Sequence, residues 1–280
     1  MKKIIIVRTK RKKNYSNIIA KQITNLGYDG MVVGIDELND YLSKNGYSPE
    51  DILIHARTAH PGRIYGIFKD LEDKGYKILN SPEVLKITSD KFRSCEWAKE
   101  NQIPCAESYK VDKLGSLNFI KEKIDEWGKV IVKPRTSQGQ GEYCFVFNAN
   151  IDKESIEGIP AKELVVQKYI KHNRLNRVLV IGKKSIDKAV FWDAPKENWK
   201  CSVCMNPKIN CYENPPAELL EFAENIAKKL DSDVSFIDIF STEKGYVLNE
   251  INTACNLEIH ERISKYNISK EIVNHLLNKI

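Results

Sequence analysis

The sequence predicts an α/β protein in which an N-terminal parallel sheet precedes a region of mixed and antiparallel sheets. Residues 1–86 alternate strand and helix patterns in βαβα order, which is typical of a parallel sheet covered by helices. Beyond residue 86, apolar strands recur in adjacent pairs between amphipathic helices, which favours antiparallel hairpins. The chain has 280 residues, of which 42% are hydrophobic, so it can bury a large core divided over two or three lobes.

In the N-terminal region, short apolar runs predict strands at residues 3–7, 31–33, 52–55 and 76–79. Ser16 opens an amphipathic helix that stops at Gly27, and a second helical pattern precedes Gly75. Arg57, His60 and Arg63 follow the third strand. Open α/β sheets present ligands at the carboxyl ends of their strands, so a cationic substrate contact is one interpretation of these residues. Surface or helix-capping roles are the other interpretation.

The middle of the chain contains a glycine-rich loop between two strands. Ser89 is expected to cap a helix over residues 90–100, and a strand at 108–111 and a helix at 116–127 follow. Strands at 130–134 and 143–147 then flank a polar loop, and Lys133 lies at its base. Glycine and small residues allow backbone N–H groups to turn toward a phosphate. The loop is neither a P-loop nor a Rossmann fingerprint, so we interpret it as a loop that covers the phosphates of a nucleotide.

The C-terminal half contains further strand and helix patterns. Strands are predicted at residues 164–170, 177–181 and 185–192, and helices at 219–230, 256–263 and 269–277. Residues 193–215 form the least regular region. His172, His260 and His275 are expected on polar or helical surfaces.

A hairpin over residues 234–251 combines acidic side chains with apolar strands. If residues 243–245 form a three-residue loop, Thr242 pairs with Tyr246, and Asp238 lies opposite Glu250. Period-two alternation then places Asn252 on the same face. Two carboxylates and an amide oxygen suit Mg²⁺, with phosphate oxygens as further ligands. The alternative is an ordinary hairpin with one acid facing solvent.

Charge and cysteine content limit the function classes. The net charge is +6, and the one dense basic run, residues 8–13, is read as a surface loop or as an attractor of an anionic substrate or polymer. No aromatic residues are interleaved with it, which disfavours nucleic acid as a partner. The apolar segment at the N-terminus is too short for a signal peptide, and no apolar run is long enough to cross a membrane. A cytoplasmic protein with reduced thiols is therefore expected. Unligated thiols are favoured over a metal cluster for four cysteines: Cys201, Cys204, Cys211 and Cys255.

A set of residues occurs in a recognisable order along the chain: Lys91, Lys133, Gln167, Lys168, Tyr169, Ile170, Asn176, Arg177, Asp238, Glu250 and Asn252. In this order and spacing the chain resembles the ATP-grasp superfamily, and within it the RimK-like carboxylate–amine ligases, which are related to glutathione synthetases. The resemblance covers about residues 80–260. It implies an N-terminal domain over residues 1–86, a central lobe over 87–170 and a C-terminal lobe over 171–280.

The resemblance also implies roles for these residues. Lys91 and Lys133 would contact the ATP phosphates, and the hinge and Asn176 would meet the rest of the nucleotide. Arg177 and Lys200 would be catalytic. The covering loop would contribute Ser137, Gln138, Gly139 and Gly141, and the hinge would contribute Gln167, Lys168, Tyr169 and Ile170. Asp238, Glu250 and Asn252 would hold two Mg²⁺ ions, with Mn²⁺ as an alternative.

The implied reaction joins a carboxylate to an amine through an acyl-phosphate and releases ADP and phosphate. Its substrates would be a small-molecule or peptide carboxylate and an amine or amino acid, and family members often form homo-oligomers. The sequence departs from the family at Lys168, where an acidic residue is usual, at Asn176, where Asp is common, and at Lys200, where Arg would offer a two-point contact. A nucleotide-binding or regulatory module with little turnover is the alternative function.

Overall fold

The protein is described by a computed structural model over residues 3–8, 16–58, 62–136, 143–149, 151, 153–194 and 208–280. Over these residues the chain forms three sheets, each built from a successive stretch of sequence. One sheet is parallel and two are antiparallel, which confirms the predicted α/β class. No helix in these ranges combines the length and apolar character needed to cross a bilayer.

The first sheet is parallel, with strand order β2-β1-β3-β4. Its strands are β1 (Lys3–Arg8), β2 (Asp29–Gly34), β3 (Ile52–Arg57) and β4 (Lys77–Leu79). The connecting helices are α1 (Ser16–Asn25), α2 (Leu38–Lys44) and α3 (Gly62–Asp73). Because successive side chains point to opposite faces, Ile4 and Ile6 enter one core and Ile5 and Val7 enter another. This explains why β1 reads as a continuous apolar run.

The second sheet is antiparallel, with strand order β5-β8-β6-β7. Its strands are β5 (Ser108–Asp112), β6 (Val130–Pro134), β7 (Phe145–Phe147) and β8 (Glu163–Lys168). The helices of this region are α4 (Pro82–Thr88), α5 (Lys91–Glu100), α6 (Ser116–Trp127) and α7 (Lys153–Glu157). Two predicted boundaries were wrong: β7 begins two residues later, and β8 ends two residues earlier.

The third sheet is antiparallel, with strand order β11-β10-β9-β12-β13. Its strands are β9 (Arg174–Ile181), β10 (Lys184–Asp193), β11 (Asn210–Cys211), β12 (Val234–Thr242) and β13 (Gly245–Asn252). Helix α8 (Ala217–Leu230) packs on one face through Leu219, Ala223 and Ile226. The helices α9 (Leu257–Ser264) and α10 (Ile268–Leu277) contribute to a core on the other face, where side chains of the first sheet also pack. That second face carries the candidate site.

The hairpin of β12 and β13 has the predicted pairing but a different turn. Thr242 pairs with Gly245 rather than with Tyr246, so the connection is the two-residue turn 243–244 and the predicted three-residue loop was wrong. A shift in register between Asp238 and Ile239 then places an extra residue on β13. This β-bulge restores Asp238 opposite Glu250.

Candidate active site

The centre of the candidate site is a buried ion pair between two adjacent strands. Arg177 of β9 and Asp238 of β12 are direct partners in the antiparallel register. The Arg177 Nε atom donates to Oδ1 of Asp238 at 2.6 Å, and Nη2 donates to Oδ2 at 2.7 Å. Only 3% of Asp238 is exposed. Such a two-point contact fixes the orientation of both side chains as well as their charges.

Two residues on neighbouring elements support Arg177. Its Nη1 atom lies 3.3 Å from Nε2 of His260 in α9, and its guanidinium lies 5.5 Å from the ring centroid of Trp192 in β10. His260 is buried, so its predicted surface position was wrong. Burial and the Arg177 charge lower the pKa of His260 to about 3, so its Nε2 accepts a hydrogen bond at neutral pH. Burial lowers the pKa of Arg177, but the Asp238 charge outweighs this and raises it above the ordinary value.

Glu250 and Asn252 complete the predicted oxygen set. Glu250 lies opposite Asp238, and Nδ2 of Asn252 donates to Oδ2 of Asp238 at 3.4 Å. Burial raises the pKa of Asp238, the Arg177 charge opposes this rise, and the Glu250 charge adds to it. In the part of the chain that is described, no three His, Cys, Asp or Glu side chains converge as a metal-ligand set. Two carboxylates and one amide oxygen are a hard-cation donor set that needs further oxygens from a ligand.

Lys91, the first residue of α5, lies within electrostatic reach of this carboxylate pair. Burial lowers the pKa of the Lys91 ammonium, the Glu250 charge opposes that effect, and the Lys133 charge adds to it. The two lysines and Glu250 are therefore close in space, although they come from three different elements. A phosphate group would find two cations and a carboxylate in the same place.

The position of Lys91 depends on a contact that the sequence did not reveal. Asp90, not Ser89, is the N-cap of α5, because Oδ1 of Asp90 accepts from the N–H groups of Phe92 and Arg93. The other carboxylate oxygen of Asp90 accepts from Nε of Arg135 at 2.8 Å, and Lys91 N donates to the Arg135 carbonyl oxygen. Arg135 follows β6 directly, so this contact joins the strand of Lys133 to the helix of Lys91.

Lys133 is held by a hydrogen-bond chain across the second sheet. Its Nζ atom donates to Oε1 of Gln167 in β8 at 2.9 Å, and Nε2 of Gln167 donates to Oγ of Ser108 in β5 at 2.9 Å. Gln167 is buried. Because the carboxamide is neutral, it orients the lysine without neutralising its charge, and Lys133 stays available to an anion.

The hinge after β8 leaves one backbone donor open. Lys168 N donates to the Glu107 carbonyl oxygen and Tyr169 N donates to the Lys129 carbonyl oxygen, whereas the N–H of Ile170 has no acceptor among the described residues. Nδ1 of His172 lies 2.9 Å from the Ile170 carbonyl oxygen. Such an open N–H next to a strand end suits the edge of a ligand ring.

Asn176 does not join this group. It is fully buried on the opposite face of β9 from Arg177. Its Nδ2 donates to the Ile239 carbonyl oxygen and to Oγ of Ser241, and its Oδ1 accepts from the hydroxyl of Tyr212. Both N–H groups of the Asn176 carboxamide are used within the chain. Asn176 therefore does not face the nucleotide site that the resemblance implied.

Several predicted residues lie outside the described residues: Ser137, Gln138, Gly139, Gly141, Lys200, Cys201 and Cys204. The other two of the four cysteines considered as metal ligands are free thiols. They are Cys211 in β11 and Cys255 after β13. Burial raises the pKa of Cys255 to about 11, and nearby charges on Arg177, Asp238 and Arg57 modify it. Cys255 is therefore a neutral thiol beside the site at physiological pH.

Comparison with solved structures identifies the fold. PsnB, an ATP-grasp ligase solved with a phosphomimetic variant of its minimal precursor, Mg and ADP, superposes with a TM-score of 0.69 at 15% identity, over 98% of both chains. A RimK domain ATP-grasp protein from Sphaerobacter thermophilus gives 0.68 at 16% identity, over 98% of this chain and 99% of that one. D-alanyl-alanine synthetase A from Vibrio cholerae gives 0.66 at 18% identity, over 99% of both. The fold is an ATP-grasp fold.

The family follows from the sequence itself. Residues 88–276 match the RimK-like ATP-grasp domain. This range begins before α5, ends in the last turn of α10 and contains every described residue of the candidate site. The chain belongs to the RimK-like ATP-grasp family, as the ordered set of lysines, acids and arginine predicted.

Proposed function

We propose that this protein is an ATP-dependent ligase that activates a substrate carboxylate as an acyl-phosphate and joins it to an amine, with release of ADP and phosphate. The observation that carries the proposal is the meeting of Asp238, Glu250, Asn252 and Arg177 on one face of the third sheet, with Lys91 of α5 within electrostatic reach of Glu250. Phosphoryl transfer requires cations at the transferred group and good positioning rather than a protein nucleophile. This face offers both.

ATP would bind between the second and third sheets. Lys91 and Lys133 would contact its phosphates, because the two ammonium groups lie within electrostatic reach of each other and of Glu250, and Lys133 is oriented by the neutral carboxamide of Gln167. The Ile170 N–H would donate to the adenine edge, while Lys168 and Tyr169 use their own N–H groups to fix the hinge. Ser137, Gln138, Gly139 and Gly141 would cover the phosphates. Structures of PsnB with ADP and Mg, and with AMPPNP, support a nucleotide in this fold.

Asp238, Glu250 and Asn252 would hold two Mg²⁺ ions, or Mn²⁺ in their place, together with phosphate oxygens. The donor set fits, because Oδ1 of Asp238 has a second lone pair beyond its contact with Arg177, and Glu250 places a second carboxylate directly opposite. When bound, the ions would neutralise negative charge on the phosphates. Arg177 contributes a fixed positive charge beside them, and Asp238 keeps that charge in one orientation.

The chemistry then proceeds in two balanced steps. A carboxylate oxygen of the first substrate attacks the γ-phosphorus of ATP, the bond to the β-phosphate oxygen breaks, and ADP leaves. The amine nitrogen of the second substrate attacks the acyl carbon, inorganic phosphate leaves, and the amine proton passes to solvent. Arg177, with Lys200 as a second cation, would stabilise negative charge on the transferred group in both steps.

The substrate pair belongs to the class of small-molecule or peptide carboxylates and amines or amino acids. Structural relatives include a ligase solved with a precursor peptide and a D-alanyl-alanine synthetase, so both sizes of substrate occur on this fold. A cytoplasmic location and assembly into a homo-oligomer stay predictions from the sequence.

The test is product formation. The purified chain is incubated with Mg²⁺-ATP and pooled amino acids, peptides and organic acids, and ADP release and new masses are recorded for wild type and Asp238→Asn. The proposal predicts ADP release that depends on a substrate pool, a product equal in mass to two substrates less one water, and loss of both in the variant. If the protein binds ADP tightly but no substrate pool stimulates ADP release, the proposal is contradicted and a nucleotide-binding module is favoured.

A further inference from the structure

Arg57 is a buried cation at the carboxyl end of β3. It lies on the face of the first sheet that shares a core with the third sheet, because it alternates in phase with Leu53 of that core. Its Nη2 atom donates to the Cys255 carbonyl oxygen at 2.7 Å, and 6% of the residue is exposed. Cys255 follows Asn252 by three residues. The guanidinium therefore reaches the loop that leaves the candidate metal site.

This guanidinium lacks a counter-ion among the described residues. Its Nη1 atom is buried and has no hydrogen-bond partner there. Burial lowers the pKa of Arg57 to about 10, with no carboxylate among the groups that oppose the shift. At neutral pH the side chain is still charged. A buried charge is normally paired because desolvation is costly, so an anion that is not part of the described chain is the expected partner.

A second arginine lies beside Arg57. Arg8, the last residue of β1, is the direct register partner of Arg57, and neighbours in register in a parallel sheet point to the same face. Arg8 is half-buried, and no ion pair or hydrogen bond of its side chain occurs among the described residues. Both side chains therefore leave the same face of the sheet at its carboxyl end, where Arg57 reaches the loop at Cys255.

We propose that Arg57 and Arg8 bind a substrate carboxylate that keeps its charge throughout the reaction. The inference rests on the proposed ligase function. The reacting carboxylate loses its charge when it becomes an acyl-phosphate and then an amide, and the ATP phosphates have their own cations in Lys91 and Lys133. A planar guanidinium matches a carboxylate that remains anionic.

The substrate class follows from this assignment. One substrate carries a carboxylate in addition to its reacting group. It is either an amine substrate with a free carboxylate, such as an amino acid or a peptide, or an acyl substrate that is a dicarboxylic acid. The shared chemistry is the second carboxylate, and the two sources are separated by experiment.

The first experiment measures anion binding without turnover. Glutarate is titrated into the full chain at constant ionic strength, with neutral glutaramide as the reference, and the unfolding temperature is followed. Wild type and Arg262→Gln, which removes an exposed guanidinium from α9, should show the same saturable rise. Arg57→Gln should weaken apparent glutarate binding by about 10- to 100-fold, and Arg57→Lys should recover part of it. An unchanged glutarate response in Arg57→Gln overturns the proposal.

Arg8→Gln keeps this test decisive if Arg57→Gln does not fold. Arg8 is half-buried, so its replacement carries less risk to the core, and the expected effect is a weakening of about three- to tenfold for a partly exposed charged hydrogen bond. A response equal to that of wild type would exclude Arg8 and Arg57 as an anion pair.

The second experiment identifies the source of the carboxylate. ADP release is measured with amino acids against their α-amides, and with dicarboxylic acids against their half-amides, for wild type and Arg57→Gln. The substrate that carries the anchored carboxylate should show a KM about 10- to 100-fold higher in the variant, with kcat changed far less, and its amide should be insensitive to Arg57. An equal loss for acid and amide indicates a structural role and overturns the proposal. Absence of ADP release in wild type would contradict the ligase function alone. The anion site at Arg57 would still be tested by the glutarate titration, which does not depend on turnover.

Discussion

Arg177 contacts both carboxylate oxygens of Asp238 across two neighbouring strands, at 2.6 and 2.7 Å. The negative charge of Asp238, which is proposed to bind metal, is therefore already neutralised by Arg177, which is proposed to stabilise the transferred phosphate. Asp238, Glu250, Arg177 and Lys91 carry two negative and two positive charges. Magnesium would therefore enter this site together with the negative charge of ATP rather than alone.

Replacement of Arg177 should change the response to metal. In Arg177→Met the Asp238–Glu250 pair loses its counter-charge, so Mg²⁺ added without nucleotide should raise the unfolding temperature of the variant more than that of wild type. ADP release should fall by at least about 100-fold, as for loss of a transition-state charge contact. The extra response to Mg²⁺ should vanish in the double variant Arg177→Met with Asp238→Asn. Equal Mg²⁺ responses in wild type and Arg177→Met would argue against Asp238 as a ligand.

The contact between Asp90 and Arg135 should stabilise the helix that begins at Lys91. Asp90→Ala removes both the N-cap and a largely buried ion pair, so we expect a loss of about 2–4 kcal/mol in the free energy of unfolding. Asp90→Asn keeps a capping oxygen and should lose less. Urea unfolding measures both, and Asp125→Ala at an exposed position of α6 should change stability by less than about 0.5 kcal/mol. Equal stability of Asp90→Ala and Asp125→Ala would refute this role.

Lys133 should contribute to nucleotide affinity. Lys133→Met should weaken Mg²⁺-ADP binding by about 10- to 100-fold, because a charged contact to phosphate is lost. Gln167→Leu should have a smaller effect in the same direction, since it removes only the group that orients the lysine. Titration calorimetry measures both against Lys121→Met, an exposed lysine of α6. Wild-type affinity in Lys133→Met would remove this residue from the site.

Two buried histidines predict acid sensitivity. Burial and the nearby Arg57 charge lower the pKa of His55 to about 3. Burial and the Arg177 charge lower the pKa of His260 to about 3 as well. The unfolded chain binds these protons near pH 6.5, so the stability that each neutral ring contributes is present above pH 6.5 and is lost as pH falls toward 3. We expect each histidine to remove ~1.4 kcal/mol per pH unit in that window. Urea unfolding from pH 7 to pH 5 should show a shallower slope for His260→Gln. An identical slope would mean that His260 is protonated in the folded protein.

The sequence predicted what depends on local pattern. The alternation of strand and helix patterns predicted the parallel first sheet, and the pairing of Asp238 with Glu250 was correct even though the turn was not. Two local errors cancelled there, since a shorter turn was offset by a bulge that no strand pattern specifies. Asp90 caps α5 because Ser89 ends the preceding helix α4 and its hydroxyl donates to the Leu85 carbonyl oxygen. Both residue types are common at the N-cap position, so the pattern alone did not separate them.

What the sequence could not predict are contacts between distant segments. Arg135 reaches Asp90 across 45 positions, His260 reaches Arg177 across 83, and Arg57 reaches Cys255 across 198. Asn176 shows the opposite: the resemblance placed it in the site next to Arg177, but the two side chains do not converge. Successive residues of a strand point to opposite faces, so Asn176 lies on the other face of β9. Which side chains converge is decided by packing of the three sheets, which one sequence does not encode in readable form.

The central claim is that the face formed by Asp238, Glu250 and Asn252 supports metal-dependent phosphoryl transfer. The most direct measurement is substrate-stimulated ADP release as a function of Mg²⁺ concentration for wild type and Glu250→Gln, with thermal unfolding as the check on the fold. Glu250 is half-buried and its replacement is nearly isosteric, so the fold should survive. We predict that Glu250→Gln unfolds like wild type and shows no Mg²⁺-dependent turnover. Normal turnover in a folded Glu250→Gln would contradict the site assignment.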